Sequence, residues 1–70
     1  MNDKTNDKLR FVTMSAVALI DLHGIDAAMV AAARAAAKLR HGDAEGARIW
    51  RDVRLEIERI QTIDRFAARG

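Results

Sequence analysis

The chain contains no cysteine, no proline and no tyrosine, and its aromatic residues are one tryptophan and two phenylalanines. Without cysteine, neither a disulfide framework nor thiolate metal ligation can reinforce a core, so packing must hold it. Glycine is restricted to Gly24, Gly42, Gly46 and Gly70, and alanine is abundant, a composition that favours helices and disfavours strands. A charge imbalance is missing too: Lys plus Arg number 12 against 10 Asp plus Glu, so the isoelectric point near 9.7 belongs to an almost neutral chain. Long apolar runs are absent. The longest, Phe11 to Ile20, is interrupted by Thr13 and Ser15 and falls far short of the roughly 20 residues that cross a bilayer, which argues against a membrane span. Lys8 and Arg10 before this run would suit an export signal, but Asp3 and Asp7 dilute the charge and no small-x-small cleavage site follows. A cytoplasmic protein is expected.

A length of 70 residues supports one domain, 1–70, and such a domain buries only about 60% of its unfolded surface. Self-association is therefore expected from the outset. The fold class is all-α, read as a three-helix up-down-up domain with helices over about 6–23, 27–41 and 44–67. In the first helix Leu9, Val12, Ala16 and Leu19 recur at three- and four-residue spacing, and Phe11, Met14, Ala18 and Leu22 widen the stripe. Gly24 can take the left-handed conformation that ends a helix, with Ile25 placed to contact Ile20 in a Schellman arrangement. Asp26 then reads as the cap of the second helix, with Ile25 and Val30 at the spacing of a hydrophobic staple.

The second helix is mostly alanine, which lets neighbouring backbones approach closely. Gly42 ends it and Asp43 caps the third, so the connection is about two residues long and favours an antiparallel hairpin. Gly46, Trp50, Val53, Ile57 and Ile60 form the clearest amphipathic stripe, with Trp50 packed against the alanines. On the opposite face Arg48 with Asp52, and Arg54 with Glu58, have ion-pair spacing. Phe66 lies beyond Ile63, where it extends the stripe or is left for a partner.

Candidate chemistry is thin. His23 and His41 are the obvious metal or acid–base pair, but both stand at helix C-termini on opposite sides of an up-down-up bundle, roughly 20 Å apart. There, a cation satisfying terminal carbonyls is the expected role. Thr13 and Ser15 sit in an apolar helix, where hydroxyls bond back to preceding carbonyls. No carboxylate has an accompanying nucleophile or glycine-rich loop, so the chain reads as a non-enzyme without a cofactor or metal. Arg34, Lys38, Arg48 and Arg51 are candidate phosphate contacts, although Asp52, Glu56 and Glu58 interrupt the basic face and no second aromatic joins Trp50 as a stacking platform.

Leu22-His23-Gly24, then Ala28, Arg34 and Leu39, then Gly42-Asp43, Gly46 and Trp50, and finally Ile57 and Ile60 form a recognisable order. It resembles an uncharacterised family of short bacterial helical proteins, a domain of unknown function with a His-Gly turn and a Gly-Asp-x-x-Gly-x-x-x-Trp segment. The likeness covers about 16–61 and implies the helical turns, with no substrate, cofactor or partner. The expected function is a small protein–protein interaction module, homo-oligomeric or docked on another protein, using Phe11, Met14, Val17, Ala18, Leu22 and Phe66. Gly24, Asp26, Gly42, Asp43, Gly46 and Trp50 are expected to be structural. A nucleic-acid-associated regulator and a small inhibitor or accessory subunit of a larger bacterial assembly are the alternatives.

Overall fold

The computed structural model describes the backbone of residues 3–69 and the side chains of residues 6–63. All of it is helical apart from one short turn at 41–43. α1 spans Asp3–His23, a single 3-10 turn follows at Gly24–Asp26, α2 spans Ala27–Arg40 and α3 spans Ala44–Arg69. The fold class is all-α, as the composition requires. The division into three separate rods is not what the chain does: residues 3–40 form one helical run with a bend, and α3 is the second helical body.

The bend is where local sequence signals mislead. Gly24 does adopt the left-handed conformation, at φ +57°, and so ends the α-helical hydrogen-bond pattern of α1. The chain does not then leave the helical region. Asp26 sits at φ −87°, ψ 0° and its side chain makes no cap bond to α2. A capping residue needs an extended backbone to bring its carboxylate under the free amides, and a residue already inside a 3-10 turn lacks that geometry. Ile25 is 89% exposed, so it neither staples α2 nor closes onto Ile20. The bend is held instead by the Gly24 carbonyl, which accepts the Ala27 N–H within the turn and Gln61 Nε2 of α3 at 2.8 Å.

The second junction has the form expected of it. Gly42, at φ +76°, donates its N–H to the Leu39 carbonyl at 3.0 Å, and Asp43 donates to the Lys38 carbonyl at 2.8 Å. These two bonds are a Schellman closure and occupy carbonyls that α2 would otherwise leave unpaired. Asp43 then caps α3, its Oδ1 accepting the Gly46 N–H at 2.8 Å while its carbonyl accepts Ala47 N–H at 3.0 Å. Gly46 has a reason beyond the stripe: a Cβ there would lie 2.8 Å from Asp43 Cγ, closer than real Cβ atoms come, and would push the capping carboxylate aside. Lys38 Nζ, 3.8 Å from Asp43 Oδ2, ties the same corner together.

The core is narrow. Val12, Ala16 and Leu19 from α1, Ala27 and Ala31 from α2, and Val53 and Ile57 from α3 form one buried cluster, with Ile20, Val30, Ile49, Trp50 and Ile60 packed around it. Among the described residues Val53 and Ile57 are the largest side chains fully buried. α2 and α3 are antiparallel, as the tight turn between them dictates. α1 lies across α3 in the same sense, since Lys8 meets Asp52, Thr13 meets Glu56 and Gly24 meets Gln61 in ascending order.

The Asp43–Gly46 corner gives a direct test. Asp43→Ala should cost about 1 kcal/mol, the usual value of a lost N-cap. Gly46→Ala alone should bring none of the roughly 1 kcal/mol that alanine normally adds to a helix, because its methyl displaces the cap. In the Asp43→Ala background the same substitution should become stabilising. Urea unfolding of the four proteins measures this; an equal gain from Gly46→Ala in both backgrounds would contradict it.

Candidate functional site

Twenty-one residues of α1 have to serve two neighbours with one face, and the remaining apolar residues have nowhere to go. Val12, Ala16 and Leu19 point inward. On the far side Phe11, Met14, Val17 and Leu22 are 46%, 64%, 54% and 74% exposed, and Ala18 is exposed among them. Residues at this three- and four-residue spacing share one side of a helix, so α1 is apolar on two opposite faces. Thr13, Met14, Val17, Ala18 and Asp21 line a shallow open depression there. The five α1 residues expected to interact are thus accessible together; Phe66, the sixth, lies outside the residues whose side chains are described. Ile25 and Met29, at 89% and 65% exposure, are apolar residues of the same kind beyond the bend that sequence reasoning missed. Their signal was the continued spacing Leu22, Ile25, Met29, hidden by assigning Ile25 to a staple.

Phe11 is the one stripe residue that also faces inward. Its ring meets Trp50 edge-on, with centroids 5.8 Å apart and planes at 77°. The Arg34 guanidinium lies over the Trp50 ring, its carbon 5.0 Å from the centroid. The half-buried indole is therefore shared by α1, α2 and α3. Trp50 thus has Phe11 as an edge-on neighbour, and its contact from α2 includes an arginine where alanines were expected. The indole face is electron-rich and its partner's ring edge electropositive, which makes both contacts attractive, typically by about 0.5 to 1.5 kcal/mol.

Two of the candidate phosphate contacts have partners within the fold. Arg34 is engaged with Trp50 and Lys38 with Asp43, while Arg48 and Arg51 are exposed on α3. The ion pairs expected from four-residue spacing do not form. Asp52 binds Lys8 of α1 at 3.4 Å instead of Arg48. Arg54 lies in a shallow groove between Leu39 and the α2 alanines, its Nε buried without a hydrogen-bond partner, instead of pairing with Glu58. Glu56 accepts Arg59 Nε at 2.7 Å and the Thr13 hydroxyl at 3.4 Å, so Thr13 reaches across to α3 rather than back along its own helix. The Arg59 hydrogen bond is the main reason that Glu56 titrates below its ordinary value of 4.5.

His23 and His41 are both exposed and stand at the C-terminal ends of α1 and α2, and neither imidazole hydrogen-bonds to a helix-end carbonyl among the described residues. Among those residues no three His, Asp or Glu side chains gather as a metal-binding group. Because helix continues through the bend, Asn6–Arg40 is long and apolar enough to cross a membrane by length and composition, which the Phe11–Ile20 run alone was not. Core helices of soluble proteins and signal sequences meet the same criterion, so it assigns no location. No family model matches the chain, and no curated protein or solved structure is similar to it.

Two outcomes follow from these contacts. A double-mutant cycle of Phe11→Leu and Trp50→Leu should give a coupling of about 1 kcal/mol, and a coupling of zero would show that the rings do not meet. For Glu56 the depressed pKa means a stabilisation that is present above pH 4.5 and is lost as pH falls through the lower folded value. Glu56→Gln should therefore flatten the acid limb of a stability–pH curve, measured by thermal unfolding; an unchanged limb would contradict the assignment.

Proposed function

We propose that the chain is a small non-catalytic protein–protein interaction module that associates with copies of itself through the outer face of α1. The observation that carries this reading is the exposure of Met14, Val17 and Leu22, each more than half accessible on one helix face. A monomeric domain leaves single apolar residues exposed routinely, but an aligned set on one helix is the usual mark of an interface. The most apolar 18-residue window of Asn6–Arg40 is only 22% buried, so this run needs more cover than α3 provides.

A protein is a better cover than lipid. Arg10 and Arg34 bracket the apolar run, and any 18 residues between them include Asp21, the Gly24 bend and Asp26. Each carboxylate near a bilayer centre would cost about 3 kcal/mol, whereas at a protein interface it can sit on the rim in water. A cytoplasmic setting, and the likeness to short bacterial helical proteins, belong to the same proposal. The nucleic-acid alternative is weaker because two of its four cations already have partners within the fold. Docking on a larger assembly would use the same α1 face.

Solution mass across a dilution series tests the reading. The protein should form a discrete oligomer that dissociates on dilution, and Met14→Glu should weaken it by at least about tenfold by placing a charge in the contact. A strictly monomeric wild type would overturn self-association, and DNA or RNA binding at about 50 mM salt that fades as salt is added would favour the regulator instead.

A further inference from the structure

The outer face of α1 carries charges as well as its apolar residues: Asp7 near its start, in line with Met14, and Arg10 and Asp21 on the other flank. Arg10 and Asp21 are both exposed, and neither makes an ion pair or hydrogen bond within the chain among the described residues. They stand 11 positions apart, close to three full helical turns, so both lie on the Val17 flank of the stripe, separated by about 16 Å along the axis. One is basic near the start of the face and the other acidic near its end. Lys8, the other cation of this segment whose side chain is described, is already bound to Asp52 of α3.

Resting on the self-association reading above, we infer that the occupant of this face is α1 of a second copy, packed antiparallel about a two-fold axis. Such an axis runs perpendicular to both helices, reverses their direction and keeps a flank on the same side of the contact. Arg10 of one copy then faces Asp21 of the second, and the pairing occurs twice. The midpoint between Arg10 and Asp21 falls between Ser15 and Ala16, and the midpoint between Met14 and Val17 is the same. The register set by the charges therefore also places Met14 against Val17 of the second copy, and Phe11 within one turn of its Leu22. The small Ala18 lies near the axis and lets the two backbones approach. A parallel pair gains none of this: same-flank residues go to opposite sides of the contact, and Arg10 and Asp21 remain unpaired. Two rim ion pairs contribute modestly to affinity, but they discriminate between orientations because the wrong orientation forfeits both.

Charge reversal on the full chain separates this arrangement from self-association in general. Arg10→Glu and Asp21→Lys are exposed substitutions on a helix, so circular dichroism should show unchanged helicity in each. By sedimentation equilibrium each single variant should dimerise about tenfold more weakly than the wild type, since two attractions become two repulsions. The Arg10→Glu/Asp21→Lys double variant should return to wild-type affinity, and an equimolar mixture of the two single variants should associate as a heterodimer. If the single variants dimerise as tightly as the wild type while Met14→Glu abolishes the dimer, the α1 interface stands and the antiparallel pairing is wrong. A wild type that remains monomeric at every concentration overturns both.

Discussion

Alanine at the helix contacts governs the rest of this structure, because it brings the backbones close while burying very little. Of the nine buried apolar residues among those described, five are Ala16, Ala27, Ala31, Ala35 and Ala47. Small alanines of α2 meet Val53 and Ile57 of α3, so the contact buries few large side chains and much of the larger apolar set stays outside it. Met14, Leu22, Ile25 and Met29 are on the surface for that reason as much as for any functional one. At about 25 cal/mol per Å² of apolar surface buried, an alanine core secures a short chain only thinly. On the proposed reading a second copy would supply the missing burial, on the apolar surface that this thin core leaves outside.

The two junctions show how similar letters give different structures. Gly24-Ile25-Asp26 and Gly42-Asp43 both pair a left-handed glycine with an aspartate. At the second, Asp43 follows the glycine directly and its carboxylate reaches Gly46, which lacks the Cβ that would block it. At the first, one residue intervenes, and the chain uses Ile25 and Asp26 to complete a 3-10 turn rather than to cap. The Gly24 carbonyl is satisfied there by Gln61, a residue 37 positions away. The result is a bend instead of a break, which keeps α1 and α2 in one helical run and carries α1 across α3.

Much of the fold was legible because helix periodicity and turn chemistry are local. The inward set of α1, the alanine contact of α2, the Val53–Ile57 stripe and the Gly42–Asp43 corner all follow from residues within one or two turns of each other. What was not legible depends on which helix crosses where. Asp52 prefers Lys8 over its own helical neighbour, and Arg34 lies over an indole. Phe11 reads equally well as interface or core and is partly both, packed on Trp50 yet 46% exposed. The face proposed for interaction was visible as an excess of apolar residues on α1. The charged pair proposed to orient it gains meaning only with Lys8 bound to Asp52.

The central claim is that one copy cannot cover its own apolar surface and gains stability from another. The most direct measurement is the thermal unfolding midpoint as a function of protein concentration. Folding coupled to association makes the midpoint rise steadily as concentration increases, because mass action favours the associated native state. A midpoint independent of concentration, over a range that includes wholly monomeric protein, would show that the alanine core suffices alone.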